Sequence, residues 1–151
     1  MAITGIVLNA ISTVVLVPIG IIAAIAIPNL LAARVAANEG SSIASLRQIA
    51  AAEATYQSIH AKYGTLEELY GAELISPTLA AGEKNGYRFK VELPPREYPE
   101  TPGFEAVGVP VAYPNSGRRS FFVDETGIIR AANNRGVEAT RLDPPLRVNN
   151  D

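Results

Sequence analysis

No charged side chain precedes Arg34, and 24 of the first 33 residues are Ala, Val, Ile, Leu or Met. All 28 formal charges of the 151-residue chain therefore fall between Arg34 and Asp151. A helix of roughly 20 apolar residues crosses a bilayer core of about 30 Å, and residues 3–27 meet that length with no charge to oppose insertion. Thr4, Asn9, Ser12 and Thr13 are the polar groups in this run that would need partners in lipid. A cleavable secretory signal is not expected. Its pattern is a basic start and an apolar run of about 7–15 residues, whereas Met1-Ala2-Ile3-Thr4 carries no Lys or Arg and the run is longer.

The rest of the composition narrows the chemistry. Thirteen Lys and Arg against 15 Asp and Glu give a net charge of −2, so there is no global basic field for nucleic acid and no acidic tail. The absence of cysteine removes disulfides, thiolate metal sites and thiol nucleophiles. His60 is the single histidine, which removes any site needing two imidazoles.

Beyond the apolar run the sequence stays helical. From Asn29 to Lys62 there is no proline and only one glycine, Gly40, while alanine, the best helix former, recurs throughout. Ile43, Leu46, Ile49, Tyr56, Ile59 and Tyr63 recur near helical spacing, with Ser45, Arg47, Gln48, Glu53, Gln57 and Lys62 assigned to the opposite face. Leu46, Ile49 and Tyr56 are the expected contacts with a sheet. Tyr63-Gly64-Thr65 is the expected end of the helix. Pro18 and Pro28 each remove an amide donor and crowd the preceding turn, so each is expected to kink or unwind the helix locally.

The C-terminal half reads as β. After a short helical turn at 65–70 and an irregular stretch through Pro77 and Gly82, residues 87–93 alternate apolar and charged side chains, the period of a half-buried antiparallel strand. A second strand is expected over 104–112, where Gly108 and Pro110 suggest an edge or a bulge. Residues 120–124 and 128–131 form a third and a fourth, joined by Glu125-Thr126-Gly127 as a hairpin loop. The tail from Asn133 has no periodicity and is expected to lie over the sheet. The expected fold is α+β: a long N-terminal helix, its apolar half exposed or embedded in a membrane, packed on an antiparallel sheet of about four strands. Such a chain has three regions, namely an apolar helix over 1–33, its amphipathic continuation over 34–63, and a sheet region over 64–151.

The segment Gly20-Ile21-Ile22-Ala23-Ala24-Ile25-Ala26-Ile27-Pro28-Asn29-Leu30, continued by Leu31-Ala32-Ala33-Arg34, Ala37-Asn38-Glu39, Ser45-Leu46-Arg47 and Ala52-Glu53-Ala54-Thr55-Tyr56, resembles the N-terminal helix of bacterial type IV pilins and pseudopilins. Gly86-Tyr87-Arg88-Phe89 and the run 119–130 look like strands of the same family. The resemblance implies a subunit held in the inner membrane and then moved by an assembly machinery into an extracellular helical filament of identical copies. Adhesion, motility or surface sensing are the roles it implies. On that reading Gly20, Ile21, Ile22, Ile25, Ile27, Pro28, Leu30 and Leu31 form the assembly helix. The first 18 residues depart from the family pattern: counting back from Pro28, its glutamate should stand at Ile11 and its leader glycine at Ile6. The alternatives are a pseudopilin of a type II secretion system and a single-span tethered binding domain that does not polymerise.

No glycine-rich phosphate loop, nucleophile elbow or zinc spacing occurs, and neither an enzyme nor a cofactor is expected. His60 has no evident carboxylate partner, and Glu67 and Glu68 read as solvated charges. Asp124 and Glu125 could meet a calcium ion with Asp143, although a turn with charged flanks is the plainer reading; the Asp-Pro-Trp-Gly run of the major secretion pseudopilins has no counterpart. Arg118-Arg119 is the only basic doublet and the expected surface contact. A filament repeating it could hold nucleic acid by avidity, against which Glu92, Glu97, Glu100 and Glu105 are interleaved.

Overall fold

A computed structural model of the chain describes the backbone of residues 2–95 and 103–146, and side chains from Pro28 onward. Helix α1 spans Ala2–His60. The chain divides into two compact units, Met1–Arg34 and Val35–Asp151. In the first, the described side chains of residues 28–34 are all exposed, Leu30 at 73% and Leu31 at 46%. Among the described residues no helix is long and apolar enough to cross a membrane; the apolar run of residues 3–27 lies outside the side chains described.

In the second unit, α1 buries Val35, Glu39, Ser42, Leu46, Ile49, Glu53 and Tyr56, a stripe that advances by three or four residues at each step. Residue type assigns Ser45 and Glu53 to the solvent face, yet they are 1% and 0% exposed. Spacing overrides residue type here: Glu53 stands seven residues after Leu46, on the same stripe. The helix also stops earlier than expected. His60 is its last residue, Ala61 takes the left-handed φ of 56°, and Gly64 serves instead as a gap against which the Tyr56 ring lies, 3.1 Å from where a Cβ would stand.

Two short helices come next. α2 (Leu66–Gly71) opens on a capping box, in which the Thr65 hydroxyl accepts from the Glu68 amide and the Glu68 carboxylate accepts from the Thr65 amide. α3 (Pro77–Ala80) lies in the stretch expected to be irregular, with Ser76 as its cap and Pro77 in its first turn.

Among the described residues the sheet has five strands, roughly the number expected: β1 (Glu83–Lys84), β2 (Tyr87–Glu92), β3 (Glu105–Pro110), β4 (Ser120–Asp124) and β5 (Arg130–Ala132). They form an antiparallel meander in sequence order. The added strand β1 pairs Lys84 with Tyr87 across Asn85-Gly86, whose φ values of 49° and 74° are those of a tight type I′ hairpin.

β3 is central, not an edge, since it pairs with both β2 and β4. Gly108 is there because α1 comes close: a Cβ at this position would stand 2.7 Å from Ser42 Oγ and 3.1 Å from the Phe89 ring. Pro110 falls at the strand's last position, opposite Tyr87. Along one face Tyr87, Phe89, Ala106, Phe121 and Val123 join Leu46, Ile49 and Tyr56 of α1 in one buried cluster. On the other face Val107 and Phe122 are covered by Ala139 of the tail, so all five residues of β4 are buried. The tail then returns to β5, where Leu146 N donates to Ile129 O at 2.7 Å and Arg130 bridges to Pro145.

Candidate functional site

Two features stand out on α1, an exposed apolar surface and, further along, a polar clamp. The first comprises Pro28, Leu30 and Leu31. Gly20, Ile21, Ile22, Ile25 and Ile27, the other residues assigned to assembly, lie outside the side chains described. Leu46, Ile49 and Tyr56, assigned to helix–sheet packing, are 0%, 0% and 7% exposed within the core. A fully buried Leu or Ile side chain stabilises by about 1.5–3 kcal/mol relative to exposure, so these contacts are what holds the helix to the sheet.

The clamp joins the helix to the loop 111–119. Glu39, 7% exposed, accepts from the backbone amides of Arg118 (2.9 Å) and Arg119 (3.1 Å) through Oε1, and from Arg119 Nε (2.9 Å) through Oε2. Arg119 Nη2 completes a fork at 2.8 Å from the same Oε2. On either side Asn38 Nδ2 donates to Ser116 O (2.9 Å) and Asn85 Nδ2 to Ser41 Oγ (2.7 Å). The Tyr87 phenol donates to Arg119 O at 2.7 Å; burial first, then the Glu39 charge, pushes its pKa above the usual tyrosine value. The basic doublet is thus divided. Arg119 is bound to Glu39 and lies over the Phe121 ring, while the Arg118 side chain is exposed.

The residues singled out for chemistry are dispersed. His60 is exposed, its ring 4.3 Å from that of Tyr56. Glu67 is exposed, and Glu68 caps α2 and pairs with Lys62 at 2.6 Å. Asp124 and Glu125 face Arg141, whose Nε is 3.3 Å from Asp124 Oδ2 and whose Nη2 is 3.3 Å from Glu125 Oε1 and 3.6 Å from Glu105 Oε1. Asp143 instead accepts from the Thr140 amide at 2.7 Å. Among the described residues no group of three or more His, Asp or Glu side chains is arranged to hold a metal ion. A cleft of about 220 Å³ beside Arg141 is floored by Val107 and Phe122 and rimmed by Glu92, Glu105 and Glu138.

Two buried positions escape a reading by residue type. Glu39 and Glu53 are buried carboxylates, and the signal for both is their place on the apolar stripe of α1. Comparisons of the chain with family models, characterised proteins and solved structures return no match.

Proposed function

We propose that the chain is a structural subunit of a type IV pilus-like filament, assembled by burying N-terminal helices against those of other copies. The observation that carries this reading is the change in α1 at its junction with the second unit. From Val35 the helix is buried on a sheet, whereas immediately before it Leu30 and Leu31 lie exposed beside a long uncharged run. Exposed leucines beside a charge-free run favour an apolar setting, first lipid and then other copies of the helix. Lipid is already apolar, so transfer to a bundle gains much less than transfer from water, and assembly machinery would supply the work. The proposed course runs from the bacterial inner membrane to an extracellular filament.

The test is electron microscopy of the sheared cell-surface fraction from cells making Leu30→Asp, Leu31→Asp. Filaments should be lost while the second unit keeps its near-ultraviolet circular dichroism. Normal filaments from this variant would end the proposal. Ile11, where the family's glutamate would fall, favours a second reading, a tethered domain that never polymerises. Wild-type chain found only as single subunits in the membrane fraction would support it.

A further inference from the structure

Glu53 is the one charged residue of the described core that meets no cation. It is 0% exposed; its Oε2 accepts from the Gly64 amide at 2.9 Å, and its Oε1 is buried without a hydrogen-bond partner among the described residues. The next amide along, that of Thr65, is held by Glu68 at 2.9 Å. The 61–65 turn is therefore suspended between two carboxylates, one buried and one at the surface. It begins at Ala61, whose φ of 56° carries the strain of a left-handed residue with a side chain. Beneath the turn lie Tyr56, against Gly64, and Phe104, whose ring is 5.2 Å from that of Tyr63.

We infer that Glu53 and the 61–65 turn form a proton-operated latch, closed over a neutral carboxyl and opened when that carboxyl ionises. A neutral acid keeps the Gly64 bond through its carbonyl oxygen and puts no charge in the core. An ionised one leaves a buried charge with a single amide donor, a costly arrangement. Opening the turn relieves that cost by admitting water to Oε1, and it also releases the strain at Ala61. What opening uncovers is the aromatic end of the core, Tyr56 and Phe104.

The surrounding groups support this direction. Burial, the largest cause, pushes the Glu53 pKa up to about 7, the Gly64 bond opposes it, and the negative charge of Glu68 on α2 adds to the rise. Lys62, in the turn, is bound to Glu68. His60, on α1, is exposed and lies on the Tyr56 ring. From the strands, the described residues in the same buried cluster are Tyr87, Phe89, Ala106, Phe121 and Val123, joined by Phe104 just before β3, none of them charged at neutral pH. The latch rests on the fold alone and is independent of whether the chain polymerises.

The sign is set by where the proton sits. The folded chain keeps a proton between pH 4.5 and about 7 that the unfolded chain loses. Its contribution is fully present below 4.5, declines as pH rises through that window, and is gone above about 7. Three measurements on the full-length chain in detergent micelles test this. The Glu53 carboxyl carbon, followed by NMR in the wild type, should titrate with a midpoint above 6; a midpoint below 6 overturns the latch. Glu53→Gln mimics the neutral acid, so the ratio of wild-type to variant unfolding constants should rise on the order of 10²-fold from pH 4 to pH 8. A constant ratio overturns it. Gly64 amide protection, corrected for the intrinsic rate, should fall above the midpoint in the wild type and not in the variant. Constant protection in the wild type would mean a buried acid that titrates without opening the turn, and would also overturn the latch.

Discussion

At the scale of single residues, two carboxylates on the buried stripe of α1 do opposite things. Glu39 is satisfied by two backbone amides and a guanidinium, whereas among the described residues Glu53 has one amide and an oxygen without a partner. Removing the first should therefore be expensive. Glu39→Ala strips both amides of their acceptor, and we expect a loss of about 2–4 kcal/mol in urea unfolding of the full chain. Arg119→Ala leaves the amide bonds to Glu39 in place and removes a side chain that is 44% exposed, so its loss should be about 1–2 kcal/mol. Equal losses from the two variants would show that the amide bonds contribute little. Neither carboxylate is legible from residue type, because Asp and Glu are almost never fully buried unless paired. Both are legible from spacing. A stripe that runs through Leu46, Ile49 and Tyr56 also runs through Glu39 and Glu53.

At the scale of elements, the sheet carries a conflict that its tail resolves. Glu92 pairs with Glu105 across β2 and β3, and Glu105 with Asp124 across β3 and β4, which sets three acids abreast. Like charges directly opposite destabilise a sheet, and Arg141 reaches Glu105, Asp124 and Glu125 from the tail. Arg141→Ala should cost about 1–2 kcal/mol, speed proteolysis within 133–146, and regain part of its stability in 1 M salt, where the Debye length shrinks to about 3 Å. Unchanged tail proteolysis would show that Ala139 and Leu146 seat the tail unaided. Alternation makes β2 readable from the sequence, and the glycine-containing loop does the same for the β4–β5 hairpin. β1 escapes that reading although Asn85-Gly86 is a strong hairpin signal, because a two-residue strand has no period to detect. Gly108 and Pro110 mislead in the other direction. They read as weakness in a strand, but the glycine answers to a helix residue 66 positions earlier in sequence, a contact that no local pattern carries.

At the scale of the whole molecule, the second unit contains its own core, its own sheet and the half of α1 that packs on it. A chain of residues 29–151 should therefore keep the near-ultraviolet circular dichroism of the full chain and unfold in one cooperative transition. Loss of that transition would mean the unit depends on residues 1–28. The clamp also has a mechanical consequence. Tension applied along α1 from its N-terminal end would enter this unit at Val35 and meet, within seven residues, the ties of Asn38 to Ser116, Glu39 to Arg118 and Arg119, and Ser41 to Asn85. These ties stand close together along the helix and reach two separate loops, so a load is divided among them instead of peeling one bond at a time. The fold is fastened where a pull would arrive first.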